Sequence, residues 1–143
     1  MESNKHHALV KKIISYITND GHIEKSLIES DIFEVQGKVT RMPEGFIPDV
    51  FYSYNNKVII GEAKTDSDLE RQHSFNQYES YLKYLNRYGD EYECVFILAV
   101  PWDASKTAFR IIKSRLENES NIKIVILNEA GVFKKYEKNN NSK

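Results

Sequence analysis

Cysteine is nearly absent from this chain: Cys94 is the only one among 143 residues. No disulfide can form within the chain and no thiolate cluster can bind zinc, so an apolar core has to hold the fold. The lone thiol lies in a strand-like apolar run, where cysteine behaves as a small buried hydrophobe. Prolines number three and glycines six, too few for a collagen-like or Pro/Gly-rich low-complexity chain. Long hydrophobic runs are missing as well. The longest, residues 95–100, falls far short of the ~20 residues that span a bilayer as a helix. Charge of one sign is not in excess, since 20 basic and 21 acidic side chains leave a net charge of -1. Any attraction for phosphate must therefore be local. The opening Met1-Glu2-Ser3-Asn4-Lys5 has no apolar stretch of the secretory type, and a cytoplasmic location is expected.

What is there reads as one globular domain, with 41% hydrophobic and 29% charged residues. It is expected to occupy residues 1–136, with 137–143 as a frayed tail carrying three consecutive asparagines. Leu9, Val10, Ile13, Ile14 and Ile17 recur as one buried stripe and predict a helix over 7–17. A short helical stretch through Leu27 and Ile28 follows, and residues 32–39 predict a first strand with Gly37 as a bulge. Residues 47–54 and 57–65 predict a hairpin turning at Asn55-Asn56. Asp66, Ser67 and Asp68 offer caps for a helix running to Tyr88, with Phe75, Tyr78, Leu82 and Leu85 as its buried stripe. Residues 93–100 and 122–127 read as strands buried on both faces, with a helix over 102–116 between them. The predicted fold class is α/β, a central mixed sheet flanked by helices in the order α-β-β-β-α-β-α-β.

The hairpin carries the chemistry. If Asn55 and Asn56 form the turn, Tyr54 pairs with Lys57, and counting back sets Asp49 opposite Glu62. Directly opposed Cβ atoms lie ~4.5–5.5 Å apart, so the two carboxylates repel unless something positive joins them. Hard oxygen ligands of this kind suit Mg²⁺, with Mn²⁺ as a substitute. Lys64 lies two residues beyond Glu62, on the same face and roughly 6.6 Å along the strand. A metal can lower the pKa of a bound water and neutralise a phosphate, while the lysine stabilises oxygens that become more negative. Two nearby carboxylates hold the ammonium charged. A surface ion pair of Glu62 with Lys64, beside a turn aspartate, is the plainer alternative. The strand setting, the opposing aspartate and the small neighbours Gly61 and Ala63 weigh against it.

The string Ile47-Pro48-Asp49, followed thirteen residues after the aspartate by Glu62-Ala63-Lys64, resembles the PD-(D/E)XK nuclease superfamily. Gln77 and Tyr81 form a Gln-x-x-x-Tyr pair similar to the extra motif of its RecB-like branch. The resemblance covers about residues 45–101 and implies a restriction-endonuclease-like core. It also implies that Asp49 and Glu62 ligate a metal, with the Ala63 carbonyl completing the protein ligands. Lys64 would act on the nucleophile or the transition state, and Gln77 and Tyr81 would position the phosphate or the lysine. Many members carry an acidic residue on the first helix, for which Asp20, Glu24 and Glu29 are all open candidates.

Pattern alone leaves several residues undecided. Gln77 and Tyr81 fit a partly exposed helix face nearly as well, with Tyr78, Tyr81, Tyr84, Tyr88 and Tyr92 as packing aromatics. His73 shares that face and reads as solvent-facing, while His6 and His7 have no partner at ligand spacing. Lys106, Arg110 and Lys113 recur along one helix face and are candidate phosphate contacts, as are Lys38 and Arg41 near the approach to Asp49. A solvated amphipathic face explains the stripe as readily. No zinc finger, helix-turn-helix signature or phosphate-binding glycine loop is visible. The expected activity is Mg²⁺-dependent phosphodiester hydrolysis, chiefly of DNA in defence, recombination or repair, by a homodimer or within a larger assembly. RNA stays open as a substrate. The alternative is a catalytically silent nuclease-fold protein that binds nucleic acid or a partner protein, though such a chain would be expected to lose Asp49, Glu62 or Lys64.

Overall fold

Leu9, Val10, Ile13, Ile14 and Ile17 are all buried beneath a helix, α1 (Asn4–Asp20), because residues three and four apart share one helical face. In the computed structural model, which describes residues 4–33, 39–116 and 121–137, α1 covers one face of a five-stranded sheet. The strands are β1 (Val50–Tyr54), β2 (Lys57–Ala63), β3 (Glu93–Ala99), β4 (Lys123–Asn128) and β5 (Gly131–Glu137), lying side by side in that order. The two outer pairs are antiparallel and the two inner pairs parallel. The sheet is therefore mixed.

Two further helices make the parallel crossovers, α2 (Gln72–Tyr88) from β2 to β3 and α3 (Ser105–Ser114) from β3 to β4. Parallel crossovers are almost always right-handed, so two made in the same direction put both helices on one face. Alternation along the strands divides the core accordingly. Phe96 and Leu98 pack with Tyr78, Tyr81, Leu85 and Ile112 under α2 and α3, while Val95 and Ile97 pack with Ile13 and Ile17 under α1. Gly61 lets α1 approach β2: a Cβ there would stand 2.8 Å from Ile13 Cγ2 and 3.2 Å from Val50 Cβ.

The hairpin forms as the sequence predicts. Asn55 and Asn56 adopt φ of 54° and 65°, the left-handed pair that a tight two-residue hairpin turn requires and asparagine tolerates. Tyr54 pairs with Lys57, and the register continues to Val50 opposite Gly61.

Four expectations need correction. Of the strand expected over 32–39, Ile32 and Phe33 lie in a turn and a bend, and residues 34–38 lie outside the described residues. The outer edge of β1 is met instead by a single bridge, Glu29 with Phe51, whose backbone hydrogen bonds measure 2.8 and 2.9 Å. Helix α2 starts at Gln72 with no side-chain cap, because Asp68 and Leu69 turn back onto the Thr65 carbonyl. The helix after Pro101 opens as a 3₁₀ turn over Trp102–Ala104 before α3 begins. Finally, β5 was not foreseen, and Glu137, assigned to the tail, is its last residue. β5 is an edge strand with mostly exposed side chains, so it lacks the apolar alternation that would announce it. Residues 138–143 lie outside the described residues. Among the described residues no helix is long and apolar enough to cross a membrane.

Candidate active site

Asp49 stands one residue ahead of β1, where its backbone is fixed from two sides. Its N–H donates to Glu62 Oε1 at 3.3 Å, and its carbonyl accepts from the buried Ser30 hydroxyl at 2.7 Å. The side chain is held as firmly: Asp49 Oδ2 accepts from the Ala63 N–H at 2.9 Å and meets His6 Nε2 at 3.1 Å. The other carboxylate oxygen takes no hydrogen bond among the described residues. β1 has ended at this level while β2 runs on, so Asp49 fills the place of a missing strand partner.

Glu62 and Lys64 alternate onto the face that carries α2. Both are buried, at 4% and 8% exposure, whereas the Asp49 side chain keeps 15%. Lys64 Nζ stands 3.5 Å from Glu62 Oε2 and donates to Gln77 Oε1 in a short hydrogen bond. Its backbone N–H is tied to the Ala99 carbonyl of β3 at 3.0 Å. Burial, and then the charge of Asp49, push the Glu62 carboxyl up to about 8, with the Lys64 ammonium pulling the other way. Burial and the Asp49 charge thus favour the neutral form of the Glu62 carboxyl, and further positive charge at the site would favour its ionised form.

Gln77 and Tyr81 lie one turn apart on α2 and are buried, at 8% and 0% exposure. The partly exposed helix face is thus overturned for both. Gln77 accepts from Lys64, and the Tyr81 ring packs beside Phe96 with centroids 6.1 Å apart. The Tyr81 hydroxyl lies by Glu62 but finds no hydrogen bond of good geometry among the described residues. Burial, followed by the Glu62 charge, raises its pKa far above the ordinary tyrosine value, so it is a neutral donor aimed at the carboxylates.

Other candidates fall outside this cluster. Glu29 spends its carboxylate on the Thr40 N–H and hydroxyl, at 2.7 and 2.9 Å. Asp20 lines a cavity with Lys57 and Lys123 at the opposite ends of the strands, and Glu24 is exposed ahead of a 3₁₀ turn. His73 is exposed, edge-on to Phe46 at 5.5 Å. Arg41 is exposed and donates to the Gly45 carbonyl at 3.0 Å; Lys38 lies outside the described residues. Lys106, Arg110 and Lys113 are all exposed on α3, which packs over β4 rather than β2, and no contact joins them to Asp49 or Glu62.

Two residues of the cluster were not found by sequence reasoning. His6 reaches Asp49 from the first turn of α1 across 43 residues of chain, and Ser30 from a loop across 19. No local pattern carries either contact. Among the described residues it is His6, and none of Asp20, Glu24 or Glu29, that contacts the Asp49 side chain.

The donor set can be tested against a metal on its chemistry. Among the described residues no three His, Cys, Asp or Glu side chains form a cluster able to hold an ion, which does not fit zinc held wholly by protein ligands. Two adjoining carboxylates, one of them partly open to solvent, fit a hydrated hard cation that takes one or two protein carboxylates and keeps its waters. Compared with protein-family models, curated proteins and solved structures, the chain matches none of them.

Proposed function

We propose that this chain is a metal-dependent nuclease of the PD-(D/E)XK type that hydrolyses phosphodiester bonds, most readily in DNA. The observation that carries the reading is the convergence of Asp49, Glu62 and Lys64 at one end of the sheet, with the Asp49 N–H and Lys64 Nζ 3.3 and 3.5 Å from the Glu62 carboxylate. Mg²⁺ would be held by Asp49 and Glu62. The Ala63 carbonyl supports this, since in a strand it points to the same edge as the Ala63 N–H, which already meets Asp49. When bound, the ion lowers the pKa of a coordinated water and neutralises phosphate charge.

The chain's own residues do the rest. Asp49, fixed at N–H, carbonyl and Oδ2, presents its remaining oxygen without having to reorganise, which is the condition for electrostatic catalysis. Lys64 stands 3.5 Å from Glu62 Oε2 and is aimed by Gln77, so its ammonium can stabilise a phosphate oxygen as charge builds there. Tyr81 offers a neutral hydroxyl to the same site. A second copy related by a two-fold axis would supply the site for the other strand of a duplex.

The test is cleavage of plasmid and oligonucleotide substrates with and without Mg²⁺. Nicking or cutting that needs the ion supports the reading. Inactivity on DNA and RNA, with Mg²⁺ bound, would replace it by a nucleic-acid or partner-binding protein on a nuclease scaffold.

A further inference from the structure

The ends of β2, β3 and β4 that carry the acidic cluster also carry the chain's single tryptophan. Lys64 donates its N–H to Ala99, and Val100 donates to Leu127, both at 3.0 Å, so these strand ends lie level. Trp102 follows three residues after Ala99 and is 70% exposed, the most open large apolar side chain described. Its backbone N–H is pinned to Glu129 Oε1 at 2.8 Å, while its ring meets no aromatic or cationic partner among the described residues. Its chain neighbour Pro101 and its backbone partner Glu129 line a cavity of about 450 Å³ together with Lys5, Ala8, Leu9 and Lys12, within the usual size range for a ligand site. Neither Lys5 nor Lys12 has an acidic partner among the described residues, and Glu129 is engaged by Trp102. Lys5 adjoins His6, which touches Asp49. The cavity lining thus adjoins, along α1, the residue that contacts the acidic cluster.

We infer that Trp102 and the Lys5–Lys12 cavity form a subsite for an unpaired nucleic-acid strand, the ring stacking a base and the two ammonium groups holding phosphates. A flat aromatic face with flanking lysines suits single strands, whose bases are free to stack, better than duplex, whose bases are already stacked. The substrate class is thus a strand end, flap or unwound segment leading to the acidic cluster. This rests on the nuclease reading for its purpose, but the binding it describes is separable from cleavage.

The experiment uses the whole chain in EDTA, titrated with labelled oligo(dT) and with a blunt duplex of equal length. Binding is followed by anisotropy and by emission from Trp102, the only tryptophan reporter in the chain. The single strand is expected to bind more tightly and to quench the emission. Trp102→Ala is expected to weaken oligo(dT) binding roughly 5- to 100-fold. The double variant Lys5→Ala/Lys12→Ala should lower the slope of log K against log salt by about 1.4. Unchanged emission at saturating anisotropy, or equal binding by Trp102→Ala, overturns the subsite. So does emission that varies with protein concentration alone and a dimer that Trp102→Ala dissociates, since a second copy then covers the ring. Binding without any Mg²⁺-dependent cleavage would sink the nuclease reading and leave the subsite. Cleavage without this binding would do the reverse.

Discussion

Asp49 and Glu62 are tied in both directions: the Asp49 N–H donates to Glu62 Oε1 at 3.3 Å, and Asp49 Oδ2 accepts from the N–H of Ala63, the residue after Glu62, at 2.9 Å. Each strand end thus orients the other's carboxylate. The pair is held in place by the backbone itself.

That arrangement makes the first prediction a set of near-isosteric changes. Asp49→Asn and Glu62→Gln keep side-chain volume, and Lys64→Ala removes the ammonium group. Each is expected to lower Mg²⁺-dependent cleavage at least about 100-fold, the usual cost of losing one electrostatic stabiliser. Far-UV circular dichroism should stay native. Full activity in both Asp49→Asn and Lys64→Ala would refute the site.

Glu62 also sets a pH dependence. Its folded pKa of about 8 stands above the ordinary 4.5, so the folded state binds the proton more tightly than the unfolded chain does. The stability linked to that proton is complete below about pH 4.5 and is lost as pH rises through about 8. Urea unfolding in EDTA at several pH values across this window should show the decline. Glu62→Gln should flatten it, and a slope that survives the substitution would assign the effect elsewhere. Mg²⁺ affinity should rise over the same window, because the ligand binds deprotonated.

Gln77 and Tyr81 separate by their effects. Tyr81→Phe removes a buried hydroxyl that has no hydrogen-bond partner among the described residues, so stability is expected to hold or to rise by about 1 kcal/mol, while cleavage falls. Unchanged cleavage would make Tyr81 a core residue only. Gln77→Ala strips the Lys64 ammonium of an acceptor and is expected to cost about 1.5–3 kcal/mol, read by urea unfolding, together with a loss of activity.

Gly61 tests how α1 seats on the sheet. A Cβ at this position meets Ile13 at 2.8 Å and Val50 at 3.2 Å, both side chains in the packed core. Gly61→Ala is expected to destabilise by about 1–3 kcal/mol. Because Gly61 adjoins Glu62 and α1 carries His6, activity should fall further than the stability loss explains. A neutral result would mean that α1 shifts freely.

Much of this was legible in the order of residues. The Asn-Asn turn set the hairpin register, and the register alone placed Asp49 against Glu62, since pairing fixes every later partner along two strands. The buried stripe of α1 followed from its spacing, as did β3 from its continuous apolar run. The failures have physical causes too. β5 pairs through its backbone and exposes most of its side chains, so its sequence shows little alternation. Asp68, expected as a helix cap, instead uses its carbonyl to accept from the Ser74 hydroxyl at 2.6 Å.

By itself, then, the sequence determined the hairpin, its acidic couple and the lysine two residues on, because each depends on local periods and a short turn. Only the tertiary structure decided which side chains complete the cluster. His6 and Ser30 come from 43 and 19 residues away, and Gln77 and Tyr81 are buried only because α2 lies across β2 and β3. Contacts between distant segments depend on how helices pack on both faces of the sheet, and no window of neighbouring residues contains that information.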